Sequence, residues 1–322
     1  MLVNYIISYF RRKRKSKNRK LFFSPGGGII DPVIDNMFGD LHIHMILDGV
    51  YYRAAIDAHR QQPADGLIRA RLADYQARGI RFLRDGGDAW GVSLRARALA
   101  AQYGIDYRSP AFPIHLQGHY GGFIGRGFST WQELSELLRQ VRQQGGDFVK
   151  LMISGLIDFS RPDALTEISP PADSIRRMVA MAHDAGFAVM VHANGDDSVN
   201  AALDEKAESV EHGAFLHEET LLRLAQSGTV WVPTLSTVGN LIGSGRYPDE
   251  VLRPLLTRQQ EKAAFVAAHG GLVGLGSDAG AYRVCHGQAA LDEYAYLRAA
   301  LGAQTDAILT RAEETIRTVC KA

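Results

Sequence analysis

The chain has 322 residues, of which 46% are hydrophobic and 22% charged, and it contains only two cysteines. These values exclude a disordered chain, a collagen-like repeat and a disulfide-stapled mini-fold, and they leave room for one large domain or two small ones. The net charge of +1 conceals an asymmetry: residues 11–20 (RRKRKSKNRK) hold eight basic residues and no acid, so without them 28 basic residues face 35 acidic ones and the body stands at −7.

The basic run follows an apolar decapeptide, MLVNYIISYF. A secretory signal has the reverse order, and ten residues cannot cross a bilayer as a helix. Residues 1–20 are expected to form a poorly ordered basic tail, although such an order could also touch an anionic membrane surface or a nucleic acid. No apolar run reaches 18 residues, so no membrane span is expected. Nothing downstream has the basic, aromatic-interleaved pattern of a nucleic-acid face, so no nucleic-acid partner is expected. Two cysteines, Cys285 and Cys320, suit a reducing compartment, the cytoplasm.

From residue 40 onward, short apolar runs alternate with segments of helical period. The predicted strands are Leu41–His44, Ile80–Arg84, Tyr107–Ile114, Phe148–Ile153, Ala188–His192, Ser209–His212, Val230–Thr234 and Leu272–Ser277. The predicted helices following them are Arg69–Arg78, Leu94–Tyr103, Trp131–Gln143, Ser174–Ala185, Asp197–Glu205, Glu218–Gln226, Glu250–His269 and Ala290–Leu301, and Asp306–Val319 closes the chain. Ser129-Thr130 with Glu133, and Asp173-Ser174, read as helix caps, while Gly104 and Gly228 are among the helix stops. Eight strand–helix alternations imply a parallel sheet, most simply a closed (β/α)8 TIM barrel over residues 21–322. An open doubly wound sheet is the alternative, but the chain has neither a Gly-x-Gly-x-x-Gly turn after an early strand nor a Walker A loop.

The strand ends carry the chemistry. His42 and His44 alternate on the first strand, so they share a face and lie about 7 Å apart along the backbone, within reach of one metal ion. Lys150 interrupts the apolar fourth strand, where a bare ammonium would be costly to bury. A lysine that sheds its proton can react with carbon dioxide, and the resulting carbamate has two oxygens with which to bridge two cations. His192 and His212 end the fifth and sixth strands, and Asp278, between small residues, ends the eighth. In a barrel these ends form the rim where catalytic groups gather.

This set, His-x-His, Lys, His, His and Asp on strands one, four, five, six and eight, resembles the binuclear branch of the amidohydrolase superfamily with a carboxylated lysine. The resemblance spans residues of about 38 to 305 and is nearest to imidazolonepropionase-like enzymes and to dipeptidases that act before a C-terminal basic or prolyl residue. It implies that His42, His44 and Asp278 hold a buried divalent metal, zinc in the first instance. His192 and His212 would hold an exposed one, and carboxylated Lys150 would bridge both. It further implies hydrolysis of an amide-type C–N bond in a small molecule such as a dipeptide, N-acyl amino acid or lactam. A metal-bridged hydroxide would attack, with Asp278 as general base and acid.

Family members usually begin and end in a small β-sandwich. Here that domain is expected to be reduced to Leu21–Met37 or absent, and homo-oligomerisation stays open. Asp40 is a candidate for orienting a ligand histidine. Arg84, His119, Tyr120 and Tyr282 are candidates for binding substrate. Two further readings are a mononuclear, deaminase-like enzyme, which would not need Lys150, and a non-catalytic binding protein that works through its basic tail.

Overall fold

The computed structural model describes residues 38–320, together with the backbone of two short strands, β1 (Phe22–Phe23) and β2 (Ile29–Ile30). The expected tail, residues 1–20, lies outside the described residues. The chain divides into two compact units, Met1–Asp35 and Asn36–Ala322. In the first, β1 pairs antiparallel with β2.

Among its described residues the second unit contains ten strands: β3 (Asp40–Ile43), β4 (Phe82–Asp85), β5 (Asp106–Arg108), β6 (Pro113–Leu116), β7 (Arg126–Phe128), β8 (Val149–Met152), β9 (Val189–Ala193), β10 (Ser209–His212), β11 (Val230–Val232) and β12 (Leu272–Val273). Every pairing among them is parallel. Seven strands form one sheet in the order β12–β11–β10–β9–β8–β6–β7, and three form another in the order β3–β4–β5. Backbone hydrogen bonds reach from one sheet to the other on both sides. Asp147 N donates to Ser109 O at 2.8 Å, linking the approach to β8 with the end of β5. Leu41 N donates to Leu275 O at 2.9 Å, Asp278 N to His42 O at 2.7 Å and His44 N to Ala279 O at 2.7 Å, linking β3 with the chain beyond β12.

Two predicted strands are corrected. Tyr107–Ile114 breaks into β5 and β6 because Pro110 and Pro113 cannot donate to a ladder, and Ala111 between them turns left-handed at φ 65°. Leu272–Ser277 is regular only over two residues. Beyond them Gly276 lets neighbouring chains approach so closely that a Cβ would lie 2.4 Å from Val232 Cγ1 and 2.9 Å from His42 N.

The nine predicted helices are all present, with ends shifted by at most four residues. They are α2 (Asp65–Ala77), α3 (Val92–Ala100), α4 (Trp131–Gln143), α5 (Ala172–Asp184), α6 (Asp196–Asp204), α7 (Glu218–Ser227), α9 (Asp249–Ala268), α10 (Gln288–Leu301) and α11 (Thr305–Val319). Two short helices, α1 (Tyr52–Asp57) and α8 (Ser236–Gly239), and the strand β7 were not anticipated, since three to six residues carry too little periodicity to register. The start of α4 is a capping box: Glu133 N donates to Thr130 Oγ1 at 3.2 Å, and Thr130 N donates to Glu133 Oε2 at 3.1 Å. The start of α5 differs from expectation. Pro171 occupies the cap without a side-chain bond, and Asp173 sits in the first turn, where it favours the helix dipole.

The strand faces alternate as period two requires. Val149 and Leu151 on β8, and Val189 and Val191 on β9, join the larger apolar core with the helices. Phe148 and Met190, on the opposite faces, join a second cluster with Leu41, Phe82, Val230 and Val232, against Ala312, Ile316 and Cys320 at the end of α11. Lys150 and His192 continue those same inner faces. Among the described residues, no helix is long and apolar enough to cross a membrane.

Thr130→Ala removes one half of the capping box at an exposed helix start. It is expected to lower stability by about 1 kcal/mol, read from urea denaturation, without disturbing the strand ends.

Candidate metal centre

Six polar side chains from the strand ends line one cavity of about 840 Å³: His42, His44, Lys150, His192, His212 and Asp278. The imidazoles form a chain, with ring centroids 5.3 Å apart for His44 and His42, 5.0 Å for His42 and His212, and 4.5 Å for His212 and His192.

At one end, His42 Nε2 lies 3.3 Å from His44 Nε2, and these atoms lie 3.5 and 3.3 Å from Asp278 Oδ1. His42 Nδ1 faces Glu211 Oε2 at 2.8 Å, and a carboxylate can only accept, so the proton sits on Nδ1 and the Nε2 lone pair faces the cluster. At the other end, His192 Nε2 lies 3.2 Å from Gly155 O, which likewise assigns its proton to Nε2 and frees Nδ1. His212 Nδ1 lies 2.8 Å from Thr234 Oγ1. Second groups thus hold three of the four rings, the arrangement that orients metal-ligating histidines.

Burial pushes the basicity of all four rings down, strongly for His42 and His212 and to about 3 for His44 and His192, with the Lys150 charge adding to the effect. They are therefore neutral at pH 7, the form that coordinates a cation. Burial draws the Lys150 amine down to about 8, against the pull of Glu211 and Asp278, and pushes the Asp278 carboxyl up to about 7. Lys150 Nζ is buried without a hydrogen-bond partner, as is His44 Nδ1. Imidazole nitrogens and a carboxylate oxygen that converge beside an orphaned amine form a donor set suited to divalent cations. Among the described residues, His42, His44 and Asp278 form the one group of three such side chains whose ligand atoms all lie within 4.8 Å of one another.

Backbone conformation aims several of these groups. His212, Thr234 and Asp278 have φ of 71°, 50° and 60°. Non-glycine residues in this region cost about 1 kcal/mol or more each and concentrate at functional sites. The turn at His212 explains how adjacent residues, Glu211 and His212, both reach the inside of a strand whose side chains should alternate. Gly86 permits the close packing of His44: a Cβ there would lie 2.4 Å from His44 Cε1.

No protein-family model matches the chain. Uncharacterized proteins of Mycobacterium tuberculosis and Mycobacterium bovis are 31% identical over 132 residues, 39% of this chain and 35% of theirs. The match thus spans about a third of the length of these curated relatives. Among solved structures, a Xaa-Pro dipeptidase with methionine bound in its active site superposes with a TM-score of 0.69 at 20% identity, over 88% of this chain and 74% of the dipeptidase. The ochratoxinase of A. niger gives 0.65 at 18% identity over 88% and 69%, and a prolidase complexed with N-methylphosphonate-L-proline gives 0.61 at 22% over 88% and 72%. The chain shares the fold of these solved hydrolase structures.

On this fold the other expected residues separate. Tyr120 and Tyr282 line the cavity, and the Tyr120 ring lies 5.0 Å from that of His192. Arg84 does not line it. It is fully buried and donates from Nε to Leu41 O at 2.7 Å, from Nη1 to Ser209 Oγ at 2.7 Å and from Nη2 to Glu211 Oε1 at 2.8 Å. Each of its three guanidinium nitrogens thus donates within the core, away from the cavity, so Arg84 does not face a substrate carboxylate. His119 turns away from the cavity toward Glu167, with Nδ1 3.4 Å from Oε1. Asp40 does not orient a histidine ring. It accepts from Ser277 N and Oγ at 2.8 and 2.6 Å, and so pins the segment that carries Asp278 to β3.

Sequence reasoning missed Glu211, Thr234 and Glu293. The last is buried on α10 and accepts from Leu235 N, Ser236 N and Ser236 Oγ at 2.9, 2.6 and 2.8 Å, which secures the chain just after Thr234. A carboxylate inside an apolar strand or helix is a usable signal, and Glu211 carries it.

Gly86→Ala should force the His44 ring out of its position. The expected result is zinc binding weakened at least about tenfold in a competition titration against a chromophoric chelator, with an unchanged far-ultraviolet circular dichroism spectrum.

Proposed function

We propose that the protein is a metal-dependent hydrolase of an amide-type C–N bond in a small molecule, built on a closed (β/α)8 barrel. The observation that carries the proposal is the convergence of the four neutral histidines, Asp278 and the unpartnered Lys150 amine on one cavity. The hydrogen bonds from β3 to residues 275–279, and from Asp147 to Ser109, support closure of the sheet. The likeness to dipeptidase and prolidase structures makes amides of amino acids the first substrates to test. The two free cysteines, Cys285 exposed and Cys320 buried, support a cytoplasmic setting.

In this reading His42, His44 and Asp278 would hold one cation and His192 and His212 a second, and Lys150, as a carbamate, would supply a further anionic ligand. Burial keeps part of the Lys150 amine unprotonated near neutral pH, so its nitrogen can attack carbon dioxide, form the N–C bond and release a proton. When bound, divalent cations supply Lewis acidity toward a carbonyl and make water a better acid. Asp278 accepts the proton of the attacking water and returns it to the leaving nitrogen, and its side chain, 15% exposed, faces the space where both would stand. Tyr120, whose ring lies beside that of His192, would donate to the carbonyl oxygen as it gains charge.

One observation favours a second reading, a mononuclear enzyme: His42, His44 and Asp278 form a three-ligand group without Lys150. Elemental analysis separates the two. The binuclear reading expects about two zinc ions per chain, loss of both metal and hydrolysis on chelation, and recovery on adding zinc. Lys150→Ala should lose at least 100-fold in kcat/KM with partial rescue by short carboxylic acids, while Asp278→Asn and His192→Ala should abolish turnover of N-acyl amino acids and dipeptides. One metal per chain and full activity in Lys150→Ala would select the mononuclear enzyme. Wild-type rates in metal-free His192→Ala would end both readings.

A further inference from the structure

The cavity continues into a neighbour of about 330 Å³, and the two share His192, His212, Asp278, Leu156, Tyr282 and Arg246. Their lining contains three charged side chains other than histidine. Lys150 and Asp278 belong to the cluster at the strand ends, and Arg246 is the third.

Arg246 lies in the loop between α8 and α9, which is tied down where Gly243 N donates to Asp249 Oδ1 at 2.7 Å. Its guanidinium carbon sits 4.5 Å from the Tyr282 ring centroid and 5.6 Å from that of Tyr247, which packs on Phe159 at 4.7 Å. Among the described residues no carboxylate pairs with it, whereas Arg253 and Arg258 on α9 pair with Asp249 and Asp163 at 2.9 and 3.0 Å. A guanidinium held by its faces against aromatic rings keeps its N–H edge for an anion and loses little freedom in binding one.

The walls are apolar. Val50, Tyr51, Tyr52, Leu156 and Tyr282, five of the nine exposed large hydrophobic residues among those described, all line this cavity. Such clustering marks a surface that meets an apolar ligand. A substrate with a free ammonium would find no spare carboxylate, because Asp278 is the one acid in the lining and it belongs to the cluster.

We propose that Arg246 binds the carboxylate of the substrate, and that the substrates are N-acyl amino acids with a bulky aromatic acyl group rather than dipeptides with a free amine. This rests on the amide-hydrolase reading and narrows it. Arg246 acts there as a specificity residue: it selects the anionic end, while the tyrosine-lined wall takes the acyl group.

The test uses the full chain and three probes: N-(2-naphthoyl)-L-phenylalanine, its C-terminal carboxamide, and L-phenylalanyl-L-phenylalanine. Binding is read by calorimetric titration and hydrolysis is read separately, each with wild type, Arg246→Met and Arg246→Lys. Wild type should bind the acid about 10- to 100-fold more tightly than the carboxamide, the range expected of one charge-assisted hydrogen-bonding group. Arg246→Met should bring that ratio close to one, Arg246→Lys should retain part of it, and the dipeptide should bind more weakly than the N-acyl acid. Selective binding of the acid without its cleavage would leave Arg246 in its role and defeat the hydrolase reading. Cleavage of acid and carboxamide alike, with no change in Arg246→Met, would do the reverse. Equal binding of acid and carboxamide by wild type, tighter binding of the dipeptide, or no binding of any probe overturns the inference.

Discussion

Glu211 is fully buried, and its two oxygens are shared by donors from three strands: Arg84 on β4, Ser209 on β10 and His42 on β3. An isolated carboxylate at such a place would be prohibitively costly, and so would the buried Arg84. Each is tolerable because the other is present and because Leu41 O and Ser209 bind Arg84 while Ser209 and His42 bind Glu211. Arg84 also binds Leu41 O, so the same network that orients the His42 ring holds β3 against β4. Strand assembly and ring orientation are therefore a single electrostatic problem, solved at one point beneath the cavity.

Above that point the chain departs from regular strand geometry wherever the site requires it. The left-handed backbone at His212, Thr234 and Asp278 turns side chains that plain alternation would send elsewhere. Buried hydrogen bonds pin two of these departures. Asp40 holds Ser277, next to Asp278, and Glu293 holds Leu235 and Ser236, next to Thr234. Strain at the site is thus opposed by polar anchors one or two residues away, and those anchors lie in rigid elements rather than in loops.

The cavity divides its labour by depth. Its floor is titratable and desolvated, which keeps four imidazoles neutral and lowers the basicity of an amine. Its walls are aromatic and aliphatic, with one guanidinium at the junction of its two chambers. A floor of this kind suits polar bond cleavage in general, whereas the walls decide what is admitted. On such a fold, strand-end chemistry and substrate selection can therefore vary independently.

Much of this protein was legible in its residues alone. Alternating apolar periods gave the order of strands and helices, because burial on a parallel sheet leaves that pattern. His42, His44, Lys150, His192, His212 and Asp278 stood out because polar groups are rare where both faces of a strand are covered, and the fold brings all six to one cavity. What pairwise contact decides was not legible. Arg84 looked available for a substrate until Glu211 was found against it, and Asp40 looked like a partner for a histidine until Ser277 took both its oxygens. Arg246 drew no notice in a loop of small residues, since its position beside the strand ends depends on how α8 and α9 pack. Local sequence determined which chemistry the strand ends carry. Only the tertiary structure decided which charges meet and which one stays unpaired, because hydrogen-bond partners lie up to 274 residues apart along the chain.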